Sequence, residues 1–254
     1  MSSGLRLLHY LWPVAMGGST VAVVHRATGR PVDAVGLALL LSGILSAYSL
    51  DRILDRSEDL PSALWLRRAL LVAAVVGVTA SLFLLTLMPL RTAILVPVLG
   101  VLVLAYPRLK SLPLLKTLLV SAAWTWSSIA LPFHDGSWFG WRAWMAPVAI
   151  PLMLIIASGC LLCDLKDVQA DRKASVPSLP VVMGLHGTIA AAMLLATVGA
   201  AVALAEHRTG LLVCGLGLGL AAMRPSLLER DSVGPLTVDM ILTIPWLLIA
   251  LQII

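Results

Sequence analysis

Charge is what this sequence has least of. Only 12% of its 254 residues are charged, 13 acidic and 18 basic, while 59% are hydrophobic; soluble domains carry roughly 25% charged residues. A chain so poor in charge cannot clothe a water-exposed surface, so a soluble fold is set aside and lipid becomes the expected solvent. Cysteine is scarce as well. Cys160, Cys163 and Cys214 fall in apolar segments without the histidine spacing of a zinc site, which argues against both a disulfide framework and structural zinc. Residues 93–105 and 143–162 are almost continuously apolar and lack the alternation that a transmembrane barrel requires. The net charge of +5 does not point to nucleic acid, because the basic residues are dispersed over connections instead of gathered in a patch.

What is present is a succession of stretches suited to crossing a hydrocarbon core, which takes about 20 apolar residues per helix. They cover residues 8–24, 33–50, 64–88, 93–106, 117–131, 143–163, 179–205, 210–222 and 235–254. The expectation is an all-α integral membrane protein of about nine transmembrane helices, forming a single membrane-embedded domain over residues 1–254. The short, glycine-rich eighth stretch leaves eight spans as the alternative. Gly17, Gly18 and Ser19 imitate a signal-peptidase site behind Arg6, but the spans that follow favour a retained first helix. Under the nine-span reading, 13 of the 18 lysines and arginines share the side of the N-terminus, which makes that side cytoplasmic. A multi-pass protein of a bacterial inner membrane with its chemistry facing the cytoplasm is expected. Trp65, Trp124, Trp126, Trp138, Trp141 and Trp144 fall near predicted span ends, as an interfacial aromatic belt would place them.

Seven of the 13 acidic residues concentrate in two short segments on that cytoplasmic side. The first reads Asp51-Arg-Ile-Leu-Asp55-Arg-Ser-Glu58-Asp59 and the second Asp164-Leu-Lys-Asp167-Val-Gln-Ala-Asp171. On a helix, the spacing of four in the first puts Asp51, Asp55 and Asp59 on one face, with a rise of about 6 Å between successive members. Asp164, Asp167 and Asp171 form a second such face. Like charges at this spacing repel, more so where water is scarce, and a cation between them relieves the repulsion. Magnesium takes hard oxygen ligands, commonly one or two carboxylates plus substrate phosphates, which two opposed acidic faces supply together. Solvated helix ends neutralised by Arg52, Arg56, Lys166, Arg172 and Lys173 would account for one cluster; two matched clusters, each at the inner end of a span, favour a metal site.

The second segment, Asp164 to Arg172 followed by Ser178-Leu-Pro-Val-Val-Met-Gly184, resembles the Asp-rich stretch and the following "LPVxxG" segment of the UbiA superfamily of intramembrane prenyltransferases. Tyr106-Pro-Arg108-Leu-Lys110-Ser-Leu-Pro-Leu-Leu-Lys116 resembles that family's connection between its fourth and fifth helices. The first segment departs from the pattern: Asp55 and Asp59 match, but Asp51 stands where the family usually has asparagine, and the connection after Asp59 is short. The resemblance implies a UbiA-like bundle in a divergent, short member. It also implies Mg2+-dependent transfer of a prenyl chain from a prenyl diphosphate to a small aromatic, quinone-precursor or tetrapyrrole acceptor. Carried over, Asp51, Asp55, Asp59, Asp164, Asp167 and Asp171 are metal ligands, with Asp55, Asp59, Asp164 and Asp171 catalytic. Tyr106, Arg108, Lys110, Lys116, Lys166 and Arg172 meet the diphosphate, and the helix walls hold the prenyl tail beside membrane lipid. Hydroxybenzoate, naphthoate, homogentisate and chlorophyllide are all acceptors within the family's reach, with the last two slightly favoured by the 178–184 segment.

Three rival readings remain: a noncatalytic relative that binds prenyl diphosphate, a cyclase- or phosphatase-like relative, and a cation-coupled transporter. Transporters usually place ion ligands near the bilayer midplane, whereas these clusters sit at one side. Ser178 and His186 read as capping or packing residues, and His134-Asp135 as part of a loop. Asp239 is conspicuous as an ionisable group inside or near the start of the last span.

Overall fold

The computed structural model describes residues 3–54, 64–109, 112–133, 140–173, 175–230 and 233–253, and among these it contains helices and no strand. The long helices are α1 (Ser3–Thr28), α2 (Ala34–Leu54), α3 (Leu64–Leu85), α4 (Leu90–Leu109), α5 (Pro113–Ala130), α6 (Ala149–Cys163), α8 (Leu179–Ala205), α9 (Thr209–Ala222) and α11 (Val233–Ala250). Short α7 (Val168–Lys173) and α10 (Pro225–Leu228) join them, and a 3-10 turn over Gly140–Met145 precedes α6. Local chemistry sets the boundaries. Gly29, at φ 66°, closes α1 by donating its N–H to His25 O, the left-handed C-terminal turn that glycine accommodates at no steric cost. Asp33 opens α2, its carboxylate accepting the Gly36 N–H at 2.6 Å. Proline stands in the first turn of α5 and of α8, where its missing N–H costs nothing.

Six segments are long and apolar enough to cross a membrane: Leu7–Thr28, Ala34–Ile53, Leu64–Leu85, Ala149–Lys173, Leu179–Ala205 and Val233–Ala250. Leu90–Val101 and Thr209–Ala222 are apolar but shorter. The expected fifth span, α5, is not among them, and Thr117, Ser121, Thr125 and Ser128 form a buried polar stripe along it. The chain is therefore an all-helical, multi-pass membrane protein. The sixth expected span begins later than the sequence suggested, because residues 140–145 take the tighter 3-10 turn and α6 starts at Ala149.

Burial separates the middle of the bundle from its lipid-facing side. α6 is buried on nearly every face, from Ala149, Leu152 and Ile155 to Leu161 and Leu162, as expected of a central helix. α3 buries only Leu66, Leu70, Ala74 and Gly77, one stripe at helical spacing, and exposes Leu71, Val72, Val75, Val76, Leu82 and Phe83. In lipid there is no hydrophobic drive between helices, so close backbone approach over small residues takes over. A Cβ at Gly77 would lie 2.8 Å from Ser46 N, so α3 lies hard against α2. The first and last helices also meet: Trp12 Nε1 donates to Thr243 Oγ1 at 3.1 Å, and Ser19 Oγ to Leu242 O at 3.1 Å. These contacts join the middle of α11 to the middle of α1.

One tryptophan departs from the expected interfacial belt. Trp65 and Trp141 are exposed, but Trp124 is 7% exposed, donates from Nε1 to Thr20 Oγ1 at 3.3 Å and meets Tyr48 edge to face. Because α5 is enclosed by neighbours, a residue near the end of its apolar stretch lies deep inside the bundle.

Candidate functional site

The charged residues gather where α2 and α6 end and where α5 begins. After Cys163 the helix tightens into a 3-10 turn over Asp164–Asp167, then resumes as α7. The sequence had suggested one continuous α-helical face. The tighter turn, at three residues per repeat, instead stacks Asp164 over Asp167. The reason lies in the neighbours: Asp164 is 6% exposed, and its Oδ1 accepts a hydrogen bond at 2.5 Å from Lys116 Nζ, near the start of α5. A buried carboxylate without a partner would cost several kcal/mol, so Lys116 is a structural necessity as well as a source of positive charge. Lys166, on the same turn, bonds Asp167 at 2.7 Å. Asp171 is half-buried on α7 and Arg172 beside it is exposed. α7 ends in a turn where Ser175 takes φ 55° and Val176 N–H donates to Asp171 O at 2.8 Å, reversing the chain toward α8.

The "LPVxxG" stretch has a backbone function. Gly184 lies inside α8 at φ 72°, ψ 172°, so Leu179–Met183 forms a separate first turn bent away from the rest of the helix. No atom lies within 4 Å of a Cβ built there; the requirement for glycine comes from the backbone angle and not from crowding. Ser178 takes the capping position of this turn without making a side-chain cap bond, and its hydroxyl is buried without a partner. His186 is exposed.

Three buried hydroxyls lie close in sequence to the charged residues: Ser49 two residues before Asp51, Thr117 next to Lys116, and Ser178 seven residues after Asp171. None has a hydrogen-bond partner among the described residues, and buried polar groups are ordinarily paired. Phosphate oxygens are acceptors that would satisfy them. Sequence reasoning missed Ser49 and Thr117, although the hydroxyls of Thr117, Ser121, Thr125 and Ser128 at helical spacing were a legible signal for a buried polar face on α5.

Asp51 sits half-buried in the last turn of α2. Asp55, Asp59, Lys110, His134 and Asp135 lie outside the described residues. Tyr106 and Arg108 lie near the end of α4, with their side chains outside the described set. Among the described residues, no three His, Cys, Asp or Glu side chains converge as a metal site. The donor chemistry of Asp51, Asp164, Asp167 and Asp171 still suits a hard cation such as Mg2+, and the chain's own ammonium groups stand at Asp164 and Asp167.

Comparison with known proteins agrees with this architecture. The model of the UbiA prenyltransferase family matches residues 10–229. The solved apo structure of a UbiA homolog from Aeropyrum pernix K1 superposes with a TM-score of 0.67 at 15% identity, covering 96% of this chain and 99% of that one. No curated protein matches the sequence.

Proposed function

Because the chain belongs to the UbiA prenyltransferase family, we propose that it transfers a prenyl chain from a prenyl diphosphate to an aromatic, quinone-precursor or tetrapyrrole acceptor within the membrane, with Mg2+ as cofactor. The observation that carries this reading is the buried Lys116–Asp164 pair at the end of the central helix. It keeps a carboxylate and an ammonium side by side, next in sequence to Thr117, whose buried hydroxyl has no partner among the described residues. Bound between the carboxylates, Mg2+ would offset the negative charge that develops on the departing diphosphate.

The chain's own groups have three tasks in this proposal. Lys116 and Lys166 exchange carboxylate partners for diphosphate oxygens, with Tyr106, Arg108, Lys110 and Arg172 as further contacts. Asp164, Asp167 and Asp171, with Asp51, Asp55 and Asp59 from the other segment, supply the metal ligands. The apolar helix walls exclude water, so that the allylic cation left by departure of the diphosphate meets the acceptor first. The proposal includes nine spans, with the short α4, α5 and α9 crossing beside the six longer segments, and a charged end that faces the cytoplasm.

The test is incubation of purified protein in detergent with Mg2+, radiolabelled prenyl diphosphates of several lengths and a panel of acceptors. Label transfer that depends on acceptor and is lost with EDTA is the expected result. Release of pyrophosphate without transfer would replace it with a cyclase- or phosphatase-like reaction. Binding of prenyl diphosphate without turnover would favour a noncatalytic relative, the reading that Asp51 in the asparagine position supports.

A further inference from the structure

Basic side chains converge a second time, far from Asp164. α8 starts at Leu179, just after the acidic turn, and carries the chain over 27 residues to Ala205, so the connection that follows it lies at the opposite end of the bundle. There it meets the last turn of α1 and the end of α11 around a recess of 180 Å³. Val23, Ala27 and Ile249 give this recess an apolar wall, while Arg26, His207 and Arg208 bring in polar atoms.

The local backbone explains how the cations arrive. His207 takes φ 56°, a left-handed conformation that the surrounding structure must hold in a residue other than glycine, and it turns the chain so that Arg208 reaches α1. Arg208 Nη1 donates to Ala27 O, one of the last-turn carbonyls that a helix leaves free. That bond fixes the guanidinium, yet Arg208 Nε is buried with no acceptor among the described residues. Arg26 is exposed and has neither a hydrogen bond nor an ion pair among the described residues. Thr209 and Gly210, also on the recess, open the 14-residue α9, whose first N–H groups have no helical acceptor and receive no side-chain cap. No carboxylate lines the recess; Glu206 lies two residues before Arg208 without pairing to it, its Oε2 buried and unpartnered among the described residues.

Depth and size narrow the ligand. Arg26 and Ala27 fall at the end of the span Leu7–Thr28, Ile249 at the end of Val233–Ala250, and His207 and Arg208 just beyond Leu179–Ala205. This is the level at which the hydrocarbon core gives way to headgroups. Trp246, Leu247 and Leu251, exposed at the same end of α11, suit that boundary. The recess is smaller than the roughly 300–1,000 Å³ of pockets that enclose a drug-sized molecule, so it takes one compact group whose remainder stays outside. Guanidinium groups pair with phosphate through parallel N–H bonds, whereas a choline or ethanolamine cation would meet like charge here.

We propose that this recess binds the phosphate of an anionic phospholipid in the leaflet farthest from Asp164, tying together α1, α9 and α11. The lipid phosphate supplies the acceptors that Arg26, Arg208 Nε and the opening N–H groups of α9 lack, and its acyl chains lie along the apolar helix surfaces. This assignment does not depend on prenyl transfer.

The experiment titrates the protein in neutral detergent with phosphatidylglycerol, phosphatidylcholine and inorganic phosphate, reading binding by native mass spectrometry and by unfolding temperature. Phosphatidylglycerol should bind about tenfold or more tightly than phosphatidylcholine and raise the unfolding temperature, with the preference shrinking as salt is added. Arg26→Gln should weaken phosphatidylglycerol about tenfold, the loss of one hydrogen-bonded contact to a charged group. Arg142→Gln, which removes the same charge from an exposed site outside the recess, should leave binding unchanged. Equal affinity for the two lipids, or equal losses in Arg26→Gln and Arg142→Gln, would overturn the site. A full unfolding shift from inorganic phosphate without lipid would assign the recess to a soluble anion and overturn the lipid. Arg208→Gln should lose the lipid as well; because it also loses the bond to Ala27, a variant that fails to fold leaves the decision to Arg26→Gln, which gives up no partner.

Discussion

Two polar groups share one end of the bundle and are built in opposite ways. At the junction of α5 and α6, charges are closed against each other: Lys116 on Asp164 at 2.5 Å, Lys166 on Asp167 at 2.7 Å. Where α1 and α2 meet, by contrast, Arg52 stands over the Tyr10 ring, its guanidinium carbon 5.4 Å from the centroid. The first group keeps its ion pairs until a ligand replaces one partner, which suits a strongly charged diphosphate. The second sets a cation on an aromatic face, a contact that no diphosphate need displace. The contrast teaches that cations of one bundle serve different ends according to whether a carboxylate or an aromatic face meets them.

The largest expected effect comes from Asp164. Asp164→Ala should lower label transfer by about 10²-fold or more, since a ligand of the Mg2+ that would offset the departing charge is lost, and should lower the unfolding temperature because Lys116, 20% exposed, loses its contact with Asp164. Thermal unfolding alongside the transfer assay separates the two losses. Combining Lys116→Met with Asp164→Leu sharpens the distinction: replacing both charges with apolar side chains should recover most of the stability, while transfer stays absent. Recovery of transfer in that double variant would show that the pair is only structural.

Gly184→Ala should cost about 1–2 kcal/mol, the penalty for a side chain in the left-handed region, seen as a lower unfolding temperature. Smallest is Trp124→Phe, which removes the bond to Thr20 and should cost about 0.5–1.5 kcal/mol with transfer unchanged.

Much of the fold was legible because lipid imposes a strong rule: apolar runs of sufficient length become helices, and every long helix falls on a stretch that could be marked in the sequence. α5 shows where the rule weakens. Its hydroxyl stripe faces protein and not lipid, so composition alone could not place it, and Trp124 was assigned to the interface when it is interior. The acidic segments were equally legible as segments, since seven acidic residues in a chain this apolar stand out. Which of them pair with cations was not, because Lys116 and Asp164 are 48 residues apart, and nothing local announces the contact.

The sequence by itself determined the solvent, the helical class, the location of the charged segments and, through the residues from Asp164 to Gly184, the family. Those properties follow from composition and short-range spacing, which act on neighbours along the chain. Only the tertiary structure decided that Asp164 is enclosed and met by Lys116, that the acidic turn winds as a 3-10 helix, and that Gly184 breaks α8. Each depends on how helices distant in sequence approach one another, and in a bilayer that approach is set by the fit of small side chains and buried polar groups, which no single helix carries alone.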